Sequence, residues 1–443
     1  MAEFIQAPRG TVDILPQKVY KWQYIESIIR DTAKLCGFCE IRFPTFEYTK
    51  LFSRGVGETT DIVQKEMYTF DDRGGRSITL RPEGTAPTVR AVLQNGLLGG
   101  PLPLKLYYII SCFRGERPQA GRLREFHQFG AELFGAGGSA ADVELIVLAR
   151  LTFAALGLEK LRLEINSIGC HECRQIYHTA LREYFTSKTD ELCETCKGRL
   201  ERNPMRILDC KNESCIKAAQ GAPKVPDYIC GECRAHFDGV KTRLDAQGIK
   251  YTVNPSIVRG LDYYNRTVFE FIDADSGLTL CGGGRYDGLV SELYGPQTPA
   301  LGFGMGLERV LMVMEQQGCP FPAAANDSVF FASIGEEASL KAAELTRLLR
   351  AEGFAAEYEL MARSLKAQMK YADKLLFKYT AVIGGDELES GRAVLKNMLT
   401  GAQREIPLGD GFIEAFYALS LDEAVAGAEQ ASARAFQPDA DKH

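Results

Sequence analysis

No apolar run in this sequence is long enough to cross a bilayer. The longest, such as "LKLYYIISCF" at 104–113, reach about half of the ~20 residues that a spanning helix needs, so no membrane association is expected. The opening residues, "MAEFIQAPRGTVDILPQ", show no basic stretch followed by an apolar one, the pattern of a secretory signal. A cytoplasmic location is the expectation. Net charge is only −6 over 443 residues, which gives no sign of a globally basic nucleic-acid binder. A surface for such a partner has to be local. No internal repeat is evident. With 25% of its residues charged, the chain suits two or three packed domains with ample core.

Cysteine, by contrast, is plentiful. Of 13 in all, eight fall between Cys170 and Cys233. Clustered thiols in a reduced compartment suggest metal ligands before disulfides. Cys170/Cys173, Cys193/Cys196 and Cys230/Cys233 have the two-residue spacing of a zinc knuckle, and Cys210/Cys215 has four residues between. Two knuckles make a tetrahedral thiolate site. The preferred quartet is Cys193, Cys196, Cys230 and Cys233, whose pairs flank one charged segment, with about one zinc per chain. Ordinary spare thiols are the alternative, and spacing does not fix which pairs meet.

The rest of the chain alternates helix and strand signals. Residues 17–36 predict an amphipathic helix, and "GFCEIRFPTFE" a strand broken by Pro44. "SITLRPEGTAPTVRAVLQ" passes from strand through a tight turn into a helix with Pro87 near its start. "LKLYYIISCFRGE" and "RLREFHQFGAELFG" predict a long hairpin. A helix follows near 139–156, then the strand "LRLEINSIG". Strand-like patterning returns in "YTVNPSIVRGLDYYNRTVFEFID" and "LTLCGGGRYDGLVSEL", and "ALGFGMGLERVLMVMEQ" runs from strand into helix. From 328 a small α/β domain begins. The expected division is a catalytic domain over 1–169 and 251–322, a cysteine-rich insertion over 170–250, a C-terminal domain over 328–420 and a tail over 421–443.

Polar residues stand where strands should feed a core. Phe126, Gln128, Gly130 and Glu132 alternate onto one face of the second hairpin strand, as Cys112, Arg114 and Glu116 do on the first. Such a face is costly to bury without partners, and reads either as a wet sheet face or as a pocket floor. Three further junctions are of the same kind: Arg81, Glu83 and Thr85 around a turn; Arg259, Asp262, Tyr263, Tyr264 and Arg266 within a strand-like run; and "GFGMGLERV", where small residues permit close backbone approach and Arg309 opens a helix. Four such segments favour the pocket.

These segments resemble the histidyl-tRNA synthetase family of class II aminoacyl-tRNA synthetases. "FRGERPQAGRLREFHQFG" is similar to the class's second motif, "ALGFGMGLERV" to its third, and "FPTFE" to its first, which forms the dimer interface. "RGLDYYNRTVFE" and "GGGRYDGL" are similar to the two histidine-specific motifs. The resemblance implies an α+β fold, with an antiparallel class II sheet flanked by helices and a C-terminal α/β anticodon-binding domain. It implies a homodimer that uses ATP with Mg²⁺ to join L-histidine to tRNA(His) through a histidyl-adenylate. In site terms, it implies Arg114 on the α-phosphate, Arg309 on the γ-phosphate, and Arg259 between the histidine carboxylate and the α-phosphate. Phe126 would lie against adenine with Glu116 near its amino group. Glu83, Thr85 and Gln128 would hold the α-amino group, and Glu132 and Tyr264 the imidazole nitrogens, with Tyr263 beside them. Tyr286 and Asp287 would be supporting residues.

The alternative is a non-catalytic histidine sensor on the same fold, which should lack the catalytic arginine and the C-terminal domain. This chain has both Arg259 and residues 328–420. Segment 55–66 ("GVGETTDIVQKE") is expected to close over the site. In the C-terminal domain, Arg363, Lys366, Lys370, Lys374 and Lys378 recur at spacings of three and four, a basic stripe on one helical face. Lys366, Lys370 and Lys374 are the expected tRNA contacts.

Overall fold

The computed structural model describes residues 4–57, 60, 62–257, 259–322, 328–419 and 421. Most of the expected tail, part of the linker near 318–328, and residues 58, 59 and 61 of the expected closing segment lie outside the described residues. The chain divides into two compact units, Met1–Phe321 and Pro322–His443.

An eight-stranded sheet organises the larger unit. In space its strands run Cys39–Glu40, Leu104–Phe113, Glu125–Phe134, Ala300–Gly306, Thr279–Arg285, Asn265–Asp273, Leu161–Ser167, Thr252–Val253. The central strands pair antiparallel, and only the two short edge strands run parallel to their neighbours. Strand alternation sorts the two faces. On Glu125–Phe134, Phe129, Ala131 and Leu133 enter an apolar layer beneath helices Pro16–Leu35, Ser139–Ala155, Gly231–Ala246 and Leu307–Gln317. Phe126, Gln128, Gly130 and Glu132 turn the other way. On that second face Val268, Tyr286 and Ala300 join Val89 and Val92 of helix Thr85–Gln94, and Tyr177, Leu181 and Phe185 of the insertion, in another apolar cluster.

The strand-like run at 251–273 is largely a connection. Among its described residues, Thr252–Val253 and Asn265–Asp273 alone pair as strands, because Pro255 has no N–H to donate and Gly260 weakens any strand around it. Arg259 and Tyr263–Tyr264 therefore ride on an irregular segment that ends where Asn265 begins its strand. The insertion is helical, with His171–Thr186, Glu194–Arg202, Glu213–Ala219 and Gly231–Ala246 joined by short turns. Pro44 separates Cys39–Glu40 from Phe46–Tyr48, which pairs with Ser77–Leu80 in a small three-stranded sheet completed by Thr69–Asp71.

The smaller unit is a five-stranded mixed sheet in the order Ala356–Tyr358, Val329–Ser333, Tyr379–Ile383, Arg392–Asn397, Gln403–Pro407. Helix Glu336–Ala351 and residues 412–419 help close its core through Leu345, Leu349, Phe412 and Phe416. The basic helix runs only over Leu365–Lys374. Lys378 falls beyond it, with its ammonium over the Tyr379 ring, and Arg363 precedes it, paired with Glu359 at 2.9 Å and stacked on Tyr371. The stripe thus shortens to Lys366, Lys370 and Lys374, all exposed.

Candidate active site

A cleft of about 420 Å³ opens on the polar face of the large sheet, within the range of small-ligand sites. Glu83, Thr85, Arg114, Glu116, Phe126, Gln128, Arg259, Tyr263, Tyr264 and Arg309 all line it. Residues from the hairpin, the turn before helix Thr85–Gln94, the 259–264 connection and the start of helix Leu307–Gln317 thus meet in one place. Glu132 is the exception: it lies beneath the wall and is 0% exposed.

One end of the cleft is built on that carboxylate. Glu132 Oε1 accepts from Thr85 Oγ1 at 2.8 Å and from the Tyr108 hydroxyl at 2.9 Å. Oε2 accepts from the Tyr286 hydroxyl. The direct place in the wall expected of Glu132 is taken by Thr85 and Tyr108, which both line the cleft. Burial is the leading influence on Glu132 and pushes its pKa up to about 8, with the hydroxyl donors partly offsetting it. Glu83 is likewise raised by burial, which outweighs the N–H bonds it accepts from Ala86 and Thr85 at 2.9 and 2.6 Å. Among the described residues, neither carboxylate is hydrogen-bonded to a guanidinium or ammonium group. Two buried acids, with hydroxyls and backbone N–H groups as their bonded partners, form a pocket that a cation would complement.

The other end carries arginines. Arg114 donates Nε to the Pro82 carbonyl at 2.9 Å and lies 5.1 Å from the Phe126 ring centroid. Arg309 donates Nε to Gly121 O at 3.1 Å and Nη1 to Thr279 O at 2.8 Å. Its pKa is lowered, first by burial and then by neighbouring Arg122. Arg259 pairs with Glu270 and lies 5.7 Å from the Tyr264 ring centroid. Burial alone would lower the Arg259 pKa, but Glu270 more than reverses this. Its Nε is buried and has no hydrogen-bond partner among the described residues. Glu116, expected near adenine, is paired with Arg122 at 3.1 Å.

The glycine-rich strands make room for these side chains. A Cβ at Gly302 would stand 1.6 Å from Glu132 Oε2, and one at Gly304 would stand 2.6 Å from Gln128 Nε2. At Gly282 it would stand 2.4 Å from the Arg259 guanidinium, and at Gly130 2.2 Å from the Tyr108 ring. The close approach expected of "GFGMG" is an approach to Glu132 and Gln128 of the neighbouring strand, and in "GGG" Gly282 makes room for Arg259.

Tyr108 and Glu270 were not singled out in the sequence. Tyr108 shares the alternating face of Cys112 and Arg114 and was within reach of that pattern. Glu270 looks like an ordinary strand residue and is revealed only by its pairing with Arg259. Tyr286 bonds Glu132, while Asp287 holds Arg285 at 3.1 Å. That arginine is fully buried and bonded to Asp142, Asp287 and the carbonyls of Ala136 and Gly138.

The insertion's cysteines do not form the expected quartet. Cys193 and Cys196 meet Cys210 and Cys215, and Cys230 and Cys233 meet Cys170 and Cys173. The chain doubles back within the insertion, so the cysteines at its two ends meet each other and the four between them form a second group.

Residues 10–310 match the family model described as histidyl-tRNA synthetase, and residues 328–415 the model described as anticodon binding domain. The histidine–tRNA ligase of Acetivibrio thermocellus is 56% identical over 408 residues, covering 91% of this chain and 97% of that protein. The histidine–tRNA ligase of Caldanaerobacter subterraneus is 54% identical over 403 residues, covering 90% and 97%. The crystal structure of apo S. aureus histidyl-tRNA synthetase superposes with a TM-score of 0.79 at 39% identity, covering 93% of this chain and all of that one.

Proposed function

The chain belongs to the histidyl-tRNA synthetase family and attaches histidine to tRNA(His), and on that premise we propose how its cleft divides the work. The family uses ATP, which enters as its Mg²⁺ complex. Two of the cleft's acids, Glu116 and Glu270, are engaged by Arg122 and Arg259, so the ion is expected to ride on the phosphates.

In the first step a histidine carboxylate oxygen attacks the α-phosphorus. The bond to the bridging oxygen breaks and pyrophosphate leaves with its electron pair. Arg114 and Arg259 hold the α-phosphate and the attacking carboxylate, Arg309 holds the γ-phosphate, and Phe126 stacks on adenine. Bringing anion to anion demands fixed positive charge, which rigid arginines supply. In the second step a hydroxyl of the tRNA's terminal ribose attacks the histidyl carbonyl and AMP leaves.

Glu83, Thr85 and Gln128 receive the α-ammonium. Glu132 acts one step removed. By accepting the Thr85 and Tyr108 protons it turns their lone pairs outward, so both hydroxyls become acceptors for ligand N–H groups. Tyr264, with Tyr263 beside it, takes the opposite edge of the imidazole. A site that satisfies both ring nitrogens rejects isosteres that leave them unpaired. The observation that carries this reading is the pair of buried carboxylates, neither hydrogen-bonded to a cationic group among the described residues, at one end of a cleft whose other end carries three arginines.

The C-terminal unit takes the anticodon, with Lys366, Lys370 and Lys374 on its exposed helix as phosphate contacts. The chain pairs as a homodimer, and Phe46, Tyr48 and Phe70, exposed on the three-stranded sheet, suit burial against a second copy. A cytoplasmic site of action goes with a tRNA substrate. Amino-acid-dependent ATP–pyrophosphate exchange over all twenty amino acids tests the core of the reading. Only histidine should drive it, and equal exchange with another amino acid would overturn the pocket assignment.

A further inference from the structure

The insertion holds chemistry that histidine activation does not use. Its eight thiols gather into two separate groups of four, and within each the sulfurs all lie within 4.8 Å of one another. Cys170 and Cys173 Sγ are 3.4 Å apart, Cys173 and Cys233 4.0 Å, and Cys193 and Cys210 3.9 Å. A disulfide needs about 2.05 Å and joins two sulfurs, whereas here four converge. A tetrahedron of sulfurs about 2.3 Å from a central ion has edges of about 3.8 Å, and the observed separations fall on either side of that value. Backbone N–H groups already point at the sulfurs: Cys230 N to Cys173 Sγ at 3.1 Å, Cys193 N to Cys215 Sγ at 3.2 Å, and Asn212 N to Cys210 Sγ at 3.5 Å. Such donors orient and stabilise thiolate ligands.

We propose that the insertion carries two nested structural zinc ions. The outer ion sits on Cys170, Cys173, Cys230 and Cys233 and ties the insertion's entry to its exit. The inner ion sits on Cys193, Cys196, Cys210 and Cys215 and closes the loop between them. Four thiolates leave no open coordination position, so both ions are structural. The construction repeats: Cys170, Cys193 and Cys230 each cap the start of a helix, and Cys173, Cys196 and Cys233 lie in its first turn.

The ions also brace the amino-acid end of the cleft. Arg174, next to Cys173, donates to the carbonyls of Asp262 and Tyr264 at 3.1 and 3.0 Å. Asn203 and Arg206, between the inner pairs, both hold Asp262 Oδ1 at 3.0 Å. The connection bearing Tyr263 and Tyr264 is thus held by segments that each ion anchors. This bracing role rests on the histidine reading above, whereas the metal stoichiometry does not.

The test is metal analysis of the full-length protein grown with zinc, together with Co²⁺ titration of the metal-stripped protein. Two zinc ions per chain, and a thiolate–Co²⁺ absorption that breaks at two equivalents, are expected. Cys210→Ser/Cys215→Ser and Cys230→Ser/Cys233→Ser should each lose one ion. A wild type that binds one ion only, kept in Cys210→Ser/Cys215→Ser but lost in both Cys193→Ser/Cys196→Ser and Cys230→Ser/Cys233→Ser, would restore the mixed quartet and overturn the nested pairing. Absence of stoichiometric metal, or iron in its place, would overturn zinc altogether. Should a variant not fold, mercurial titration of the native protein reads the same quantity, with two zinc ions released as the eight thiols react. Zinc removal should also raise the KM for histidine more than that for ATP. An unchanged histidine KM after complete removal would overturn the bracing role alone.

Discussion

The two ends of the cleft handle opposite charges in opposite ways. At the nucleotide end the arginines have acceptors already: Pro82 O for Arg114, Gly121 O and Thr279 O for Arg309, Glu270 for Arg259. At the amino-acid end Glu83 and Glu132 are bonded to hydroxyls and backbone N–H groups. The difference follows from what each group does when buried. A guanidinium stays charged under all ordinary conditions, so the fold must orient it, and carbonyls do so while leaving other N–H groups for phosphate. A buried carboxyl can take up a proton until a cation arrives. Positive charge is therefore built in, and negative charge is held ready.

Removing built-in charge should have the largest effect. Arg259→Ala should slow pyrophosphate exchange by at least about 10²–10³-fold, the usual cost of losing one electrostatic contact made at the reacting group. Thermal melting should confirm that the fold survives. Near-normal exchange in a folded variant would remove the fixed-charge half of the contrast.

Filling the glycine spaces should separate the two ends. Gly302→Ala presses on Glu132 and should weaken histidine binding first, whereas Gly282→Ala presses on Arg259 and should reduce the rate of adenylate formation. Each should also cost about 1–3 kcal/mol of stability through overpacking. Identical kinetic defects in the two variants would show that the ends are not independent.

Glu132→Gln should raise the histidine KM with less effect on ATP. The comparison is sharpened by pH. The folded pKa of Glu132, about 8, lies above its ordinary 4.5. Its contribution to stability is therefore full below about pH 4.5 and is lost as pH rises toward 8. The wild type should lose stability relative to Glu132→Gln across that window in the absence of ligand, and saturating histidine should reduce the loss. Parallel pH profiles for the two proteins would place the ionisation elsewhere.

The smallest effect on the cleft should come from charge outside it. Reversing Lys366, Lys370 and Lys374 to Glu together should leave pyrophosphate exchange intact, raise the tRNA KM and flatten its salt dependence. A normal tRNA KM would mean that this helix faces away from the nucleic acid.

Much of this was legible in the sequence where local periodicity carries the information. The alternation of Phe126, Gln128 and Glu132 marked a polar sheet face, and the hairpin, the helix after Gly84 and the C-terminal α/β pattern could be read from spacing alone. Pairings between distant residues could not. Nothing in the order of eight cysteines says that Cys173 meets Cys233 rather than Cys196, because the answer depends on how intervening helices pack. Glu270 becomes a site residue only through Arg259, and Arg259 leaves its expected strand because Pro255 and Gly260 interrupt pairing. The outer members of the basic stripe, Arg363 and Lys378, lie beyond both ends of a helix that runs only over Leu365–Lys374.

The space over Gly302 has a genetic consequence. Every missense change of a glycine codon adds at least a Cβ, and at this position that atom would lie 1.6 Å from Glu132 Oε2. No missense replacement at codon 302 is therefore expected to be neutral. Shortening residue 132 would relieve the nearest clash only, since the Ala131 carbonyl would still lie 2.7 Å from the added atom, and it would surrender the acceptor that orients Thr85 and Tyr108. Codon 302 is thus held to glycine by backbone as well as by side chain, and a screen for partial loss-of-function alleles should recover substitutions at position 302 that no change at position 132 fully suppresses.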